Sequence, residues 1–245
     1  MKLRRQIMIL AAIVFIDFIL GITLVLGLGQ ELGAGSAGAG TTKSAAHHVS
    51  AGQEYIDPKV VALTFDDGPN KEYTENLLDG LKKRDVKVSF FLIGECIEEN
   101  EEIVKRMEDE GHLIGVHCME HTDLTKVPVD EALTCLGETA KMVEEITGKK
   151  PEYVRPPYGS WNSTLEEKVS SELGMLPVFW SVDSIDWKLK NTSKIVNKVV
   201  KETKDGDIIL MHDEFSTSID AAFQIIDNLL ANGYTFVTVD ELTID

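Results

Sequence analysis

From residue 60 onward, hydrophobic positions alternate between two patterns. Short runs rich in β-branched and aromatic residues, at 60–65, 88–93, 112–116, 153–154, 176–182, 207–211 and 235–239, read as strands. Between them, apolar residues spaced by three and four predict helices over 73–83, 97–110, 128–147, 163–173, 192–203 and 219–231. The punctuation agrees, because Pro128 opens the long third helix, and Gly148, Gly174 and Asn232-Gly233 stand where helices must stop. The rhythm amounts to about seven βα units, and such alternation predicts parallel strands. Ile208-Ile209-Leu210 is apolar without alternation, as a strand buried on both faces requires.

The polar residues that interrupt this rhythm fall just past the strands. Asp66 and Asp67 follow the first strand, His117 the third, Arg155 the fourth, Asp183 the fifth, and His212-Asp213 the sixth. In a closed barrel these positions share one rim. An open doubly wound sheet would gather its site at a switch point instead. Contributions from five strands favour the ring, so the expected fold is α/β, a barrel of about seven βα units.

A different pattern precedes it. Lys2, Arg4 and Arg5 stand before a stretch that is apolar from Ile7 to Leu28, long enough to cross a bilayer. The basic flank predicts an inside N-terminus with the remainder outside. Asp17 interrupts the stretch at a cost of roughly 2.5–3.5 kcal/mol on insertion scales, which the surrounding Ile and Leu residues offset. The expected organisation is a cytoplasmic basic flank at 1–6, a transmembrane anchor at 7–29, a flexible Gly/Ala/Ser/Thr-rich linker at 30–54 and a catalytic domain at 55–245. The alternative is a cleaved signal that leaves a secreted chain, with the small residues Ala34 to Gly40 as the cleavage region. His47 and His48 lie in the linker and read as solvated.

Charge narrows the partners. The chain carries a formal −17, and residues 1–50 hold four basic and two acidic side chains, which leaves −19 on the rest. Such a domain repels nucleic acid. No protein partner is expected. The three cysteines, Cys96, Cys118 and Cys135, match neither a disulfide scaffold nor a CxxC metal site, and the odd number leaves at least one thiol free or paired between chains.

Two adjacent carboxylates at the exit of a buried strand repel each other and are costly to desolvate. A bound cation offsets that cost. His117-Cys118-Met119-Glu120-His121 places two imidazoles four residues apart, facing one way if the stretch is helical or a tight turn. One carboxylate with two imidazoles leaves coordination positions open for water or substrate, as a catalytic site requires. Metal-assisted hydrolysis and non-haem iron oxygenation both use such a set. The spare acid favours hydrolysis, since one of Asp66 and Asp67 ligates while the other takes a proton. Spacing leaves the two interchangeable.

Five segments occur in the order found in the polysaccharide deacetylases, also called carbohydrate esterase family four. They are Thr64-Phe65-Asp66-Asp67-Gly68-Pro69, His117 to His121, Arg155-Pro156-Pro157-Tyr158-Gly159, Asp183-Ser184-Ile185-Asp186-Trp187 and Leu210-Met211-His212. The chain resembles that family over about residues 58–243. The resemblance implies a distorted (β/α) barrel and metal-dependent removal of acetyl groups from N-acetylated sugars, such as peptidoglycan or chitin-like glycans. By matched position it implies Asp66 as general base and Asp67, His117 and His121 as ligands of a divalent metal. Zinc is the first candidate for that metal, with cobalt, manganese or nickel behind it. Arg155 would hold Asp66, and the Tyr158 N–H would bind the oxyanion. His212 would be the general acid, tuned by Asp186. Pro156, Trp187 and Leu210 would contact the substrate.

One position departs from the family. The residue after the first metal histidine is usually Ser or Thr there, and here it is Cys118. The expectation is a tolerated substitution whose thiol makes the site sensitive to oxidation. Two other functions compete with N-deacetylation: O-deacetylation of a glycan such as acetylated xylan, and glycan binding without catalysis. A binding module needs neither a base nor an acid.

Overall fold

β1 (Lys59–Asp66) is the axis of the fold. Val61 to Phe65 are all buried, because parallel strands flank them. β7 (Asp207–His212) pairs with β1 from Val61 to Asp66, β2 (Ser89–Ile93) from Thr64 to Asp66, and β8 (Tyr234–Val237) from Lys59 to Ala62. The sheet continues from β2 through β3 (Leu113–Cys118) and β4 (Tyr153–Val154) to β5 (Leu176–Pro177), and from β7 to β6 (Val182–Asp183). Every pairing is parallel, as the βα rhythm predicts. These relations come from a computed structural model that describes residues 59–242. The flank, the apolar span and the linker expected over 1–54 lie outside the described residues. Among the described residues, no helix is long and apolar enough to cross a membrane.

The helices are α1 (Thr74–Arg84), α2 (Gly94–Ile97), α3 (Glu101–Asp109), α4 (Val129–Thr147), α5 (Ser163–Lys168), α6 (Asp186–Leu189), α7 (Thr192–Glu202), α8 (Ser216–Ala231) and α9 (Val239–Leu242). Each long helix turns an apolar stripe to the sheet: α1 buries Leu77, Leu78 and Leu81, and α8 buries Ile219, Ala222, Ile225, Ile226 and Leu229. Under them Phe65 and Phe90 stack with ring centroids 5.7 Å apart. Gly80 lets α1 approach α8, because a Cβ there would fall 2.0 Å from the Phe223 ring.

The curl of the sheet agrees with the expected barrel, and two expected elements are corrected. The sheet curls into a half-barrel, but its end strands β5 and β6 do not pair with each other. The strand expected over 176–182 divides instead. Pro177 has no N–H to continue a ladder. Val178 N donates to the Val154 carbonyl on one side, and Ser181 N donates to the Ile208 carbonyl on the other. The chain therefore steps across the opening between the two ends of the sheet. The helix expected over 97–110 also breaks in two, because Glu99 takes a left-handed conformation (φ 65°) between α2 and α3.

Candidate active site

The C-terminal ends of β1, β3, β6 and β7, with the residue after β4, meet at one rim. Asp66 closes β1 and lies in register with His212 of β7. It is almost fully buried. Arg155, fully buried after β4, donates from Nη1 to Asp66 Oδ1 across 2.8 Å and to Thr64 Oγ1 across 2.5 Å. Thr64 Oγ1 in turn donates to the Ile209 carbonyl across 2.7 Å. The guanidinium lies 4.2 Å from the Phe91 ring centroid and 5.7 Å from that of Trp180. Burial pushes the Arg155 pKa below its ordinary value, with the Asp66 charge opposing the shift. An arginine nevertheless stays ionised in a protein. The pair therefore places a fixed positive charge against one face of the carboxylate.

Asp67 turns the other way. Its backbone is left-handed (φ 74°), a conformation aspartate tolerates better than most residues, so the adjacent carboxylates diverge. Asp67 Oδ1 lies 3.3 Å from His117 Nε2 and 3.6 Å from His121 Nε2. The register between β2 and β3 skips from Leu92–Val116 to Ile93–Cys118, which puts His117 in a bulge. Such bulges re-aim a side chain. His117 Nδ1 is 2.7 Å from the Arg155 carbonyl. Donation to that carbonyl occupies Nδ1 and turns Nε2 toward Asp67. His121 follows in a bend after β3 rather than on a helix. Burial pushes its pKa below the usual imidazole value, which favours the neutral, ligating form. Burial works to raise the Asp67 pKa, but the histidines around it, His117 foremost, hold it below the ordinary carboxylate value.

These three residues fit a divalent cation. One donor atom from each falls within 4.8 Å of the others. Asp67 Oδ1 is buried without a hydrogen-bond partner, and an ion between it and the two imidazoles would satisfy it. A carboxylate with two nitrogen donors suits zinc and its neighbours in the first transition row.

His212 stands across from this group. Its Nδ1 is 2.7 Å from Oδ1 of Asp186, which is fully buried, and its backbone N–H donates to the other carboxylate oxygen across 2.9 Å. Burial would lower the His212 pKa, but the hydrogen bond and charge of Asp186, aided by Asp66 and Asp67, push it up to about 9. Its Nε2 is 3.9 Å from Asp67 Oδ2. A cavity of about 430 Å³ joins these groups; Asp66, Asp67, His117, His121 and His212 line it, and Pro156, Tyr158, Trp180, Asp183, Trp187 and Leu210 complete its walls. Tyr158 lies in a left-handed turn (φ 61°) with its ring edge-on to His121 at 4.4 Å. Arg155 and Asp186 are buried behind the wall.

The structure thus gathers all eleven candidate residues at one rim. It also adds two. Thr64 anchors Arg155, and Trp180 forms part of the wall from the segment that bridges β5 and β6. Its only signal in the sequence was an aromatic residue late in an apolar run. Asp183 serves the turn, accepting from Ile185 N across 2.8 Å. Asp213 is fully buried beneath Gly68, where an added Cβ would fall 2.6 Å from both carboxylate oxygens. Burial raises its pKa to about 7. The expectation for Cys118 is corrected: it is disulfide-bonded to Cys135, with Cα atoms 5.5 Å apart, and Cys96 is the free thiol. The sequence hid this pairing because the partners belong to a strand end and a helix face with no motif between them.

Fold and site together define a parallel α/β half-barrel whose C-terminal rim carries one carboxylate and two imidazoles that could hold a metal ion. The polysaccharide deacetylase profile matches residues 54–178, and the chain belongs to that family. It is 42% identical over 192 residues to the peptidoglycan-N-acetylmuramic acid deacetylase PdaC of Bacillus subtilis (strain 168), covering 78% of this chain and 40% of the relative. It is 41% identical over 184 residues to the peptidoglycan-N-acetylglucosamine deacetylase PgdA of Listeria monocytogenes serotype 1/2a (strain 10403S), covering 75% of this chain and 39% of the relative. The chain therefore spans about two fifths of the length of either relative. The solved structure of PdaC from Bacillus subtilis superposes with a TM-score of 0.72, covering 76% of this chain and 90% of that one.

Proposed function

We propose that this chain removes N-acetyl groups from amino sugars of peptidoglycan by metal-dependent hydrolysis. The observation that carries the reading is one cavity faced by three devices: an arginine-held carboxylate (Asp66), a ligand set with an unpartnered buried oxygen (Asp67, His117, His121), and an aspartate-held imidazole (His212). Family membership and the names of the relatives support the substrate class. The two relatives named act on different amino sugars, so the reading covers both N-acetylglucosamine and N-acetylmuramic acid.

Asp67, His117 and His121 would hold the cation, zinc first, with cobalt, manganese or nickel as the other fits. A bound ion of this kind supplies a Lewis acid that lowers the pKa of water. Asp66 takes the proton of the attacking water, and Arg155 orients that carboxylate through its 2.8 Å hydrogen bond. The Tyr158 N–H donates to the oxygen that gains charge as the acetamide carbonyl is attacked. His212 gives its proton to the departing nitrogen, without which an amine is a poor leaving group. Asp186 holds the imidazole by one ring nitrogen and leaves the other free for that transfer. Pro156, Trp187 and Leu210 enclose the acetyl group. Water is consumed, and acetate and a free amino sugar leave.

The same reading places the domain outside the cytoplasm, anchored by residues 7–29 or secreted after their removal. The basic flank of that segment supports the orientation, and a disulfide is at home in an oxidising compartment. Acetate release by the full chain from peptidoglycan, chitooligosaccharides and acetylxylan, with and without chelator, tests the proposal. Release from peptidoglycan that chelator abolishes and a divalent ion restores is expected. Release from acetylxylan alone, or release indifferent to chelator, overturns it.

A further inference from the structure

We propose that the Cys118–Cys135 disulfide is a positioning device of the metal centre, and that its reduction loosens the grip of His117 and His121 on the ion. The proposal rests on Asp67, His117 and His121 being the metal ligands.

Cys118 is the last residue of β3 and directly follows His117, the bulged residue whose side chain must be aimed at Asp67. It is fully buried and has a φ of 100°, in a region that side chains other than hydrogen rarely occupy. A residue keeps such a backbone only when its surroundings over-determine it. The surroundings here include the bond to Cys135 on α4 and a hydrogen bond from Met119 N to Cys135 Sγ at 3.0 Å, beside the pairing of Cys118 with Ile93 and a hydrogen bond from Glu95 N to the Met119 carbonyl at 3.0 Å. The next residues, Met119 and Glu120, lead directly to His121. Two of the three ligands therefore flank a single covalent tie to α4. Without that tie, relaxation of Cys118 toward an ordinary backbone rotates His121 relative to His117.

The bond is also reachable. Cys118 is sealed in, but Cys135 is half-buried and lines a second cavity, of about 300 Å³, with Met119, Glu120 and Glu138. A reducing dithiol attacks as thiolate at Cys135 Sγ. The S–S bond breaks, and Cys118 leaves as a thiolate that takes up a proton. The second thiol of the reductant then displaces Cys135 from the mixed disulfide, leaving two protein thiols and an oxidised dithiol.

Cobalt titration of the metal-free full chain, followed by visible absorption, tests this in three forms: untreated, reduced by a dithiol that is then removed under nitrogen, and Cys118→Ser/Cys135→Ser. The expected result is one reactive thiol before reduction and three after, counted in denaturant. Cobalt affinity falls by about 10–100-fold on reduction, the usual cost of losing support around a ligand, while the far-UV circular dichroism is unchanged. The double variant shows no response to the dithiol treatment. Equal affinity in the untreated and reduced chains overturns the proposal, as do three reactive thiols in the untreated chain or a dithiol response that survives in the double variant. Loss of the helical signal together with the metal also overturns it, by assigning the bond to the fold. Asp67→Asn separates the underlying reading: if that variant binds cobalt as well as the untreated chain does, the ligand assignment itself falls.

Discussion

His212 Nδ1 lies 2.7 Å from Asp186 Oδ1, and the backbone N–H of the same histidine donates to Asp186 Oδ2 across 2.9 Å. One buried carboxylate thus fixes both the ring and the main chain of the proposed acid. It is also the main agent that raises the His212 pKa to about 9 against the pull of burial. Replacing Asp186 by Asn keeps the shape and removes the charge. The His212 pKa then falls, the protonated acid survives only at lower pH, and the alkaline limb of the kcat profile moves down by roughly 1–3 units, the usual effect of one nearby opposite charge. The pH dependence of acetate release by Asp186→Asn checks this.

Arg155 and Asp66 form an ion pair that water scarcely touches. Removing one partner of such a pair leaves a charge buried alone and costs roughly 3–5 kcal/mol. Arg155→Met should therefore lower the free energy of unfolding by about that amount in urea titrations, and abolish turnover as well. Thr64→Val removes a weaker support, a hydrogen bond to a charged donor worth about 1.5–3 kcal/mol. It should retain partial activity.

Much of the site was legible along the chain, because the residues proposed as ligands, base and acid sit in short segments at strand ends. The proposed division of labour between Asp66 and Asp67 was not. It depends on the left-handed backbone at Asp67 and on Arg155, distant in sequence, reaching only one of the two carboxylates. The aim of His117 depends on a bulge, which leaves no mark in a hydrophobic pattern. The run at 176–182 looked like one strand because apolarity records burial, whereas Pro177 and the partners of Val178 and Ser181 decide the pairing. The barrel expected from five contributing strands takes the form of a half-barrel, with this segment crossing between β5 and β6.

His112 lies at the opposite end of β3 and gives a pH signature independent of the metal. It is buried, accepts from Val88 N at Nδ1 across 3.2 Å and packs edge-on against Phe90. Burial first, then the nearby Lys87 charge, lowers its pKa from 6.5 to about 4. A histidine depressed in the folded state binds more protons when unfolded, so its contribution is complete above pH 6.5 and is lost as pH falls toward 4. The 2.5-unit difference between those two values sets the scale at about 3 kcal/mol. His112→Gln should flatten the slope of unfolding free energy between pH 6.5 and 4 and leave the slope above pH 7 unchanged.

The most direct test of the account is acetate release from peptidoglycan by the Asp66→Asn chain, with glycan binding measured alongside. The proposed base is lost while the ligand set, His212 and the cavity walls remain. Binding should persist, and acetate release should fall by about 10²–10⁴-fold, the usual worth of a positioned acid or base. Release at the unsubstituted rate would contradict the assignment of Asp66 and the mechanism built on it.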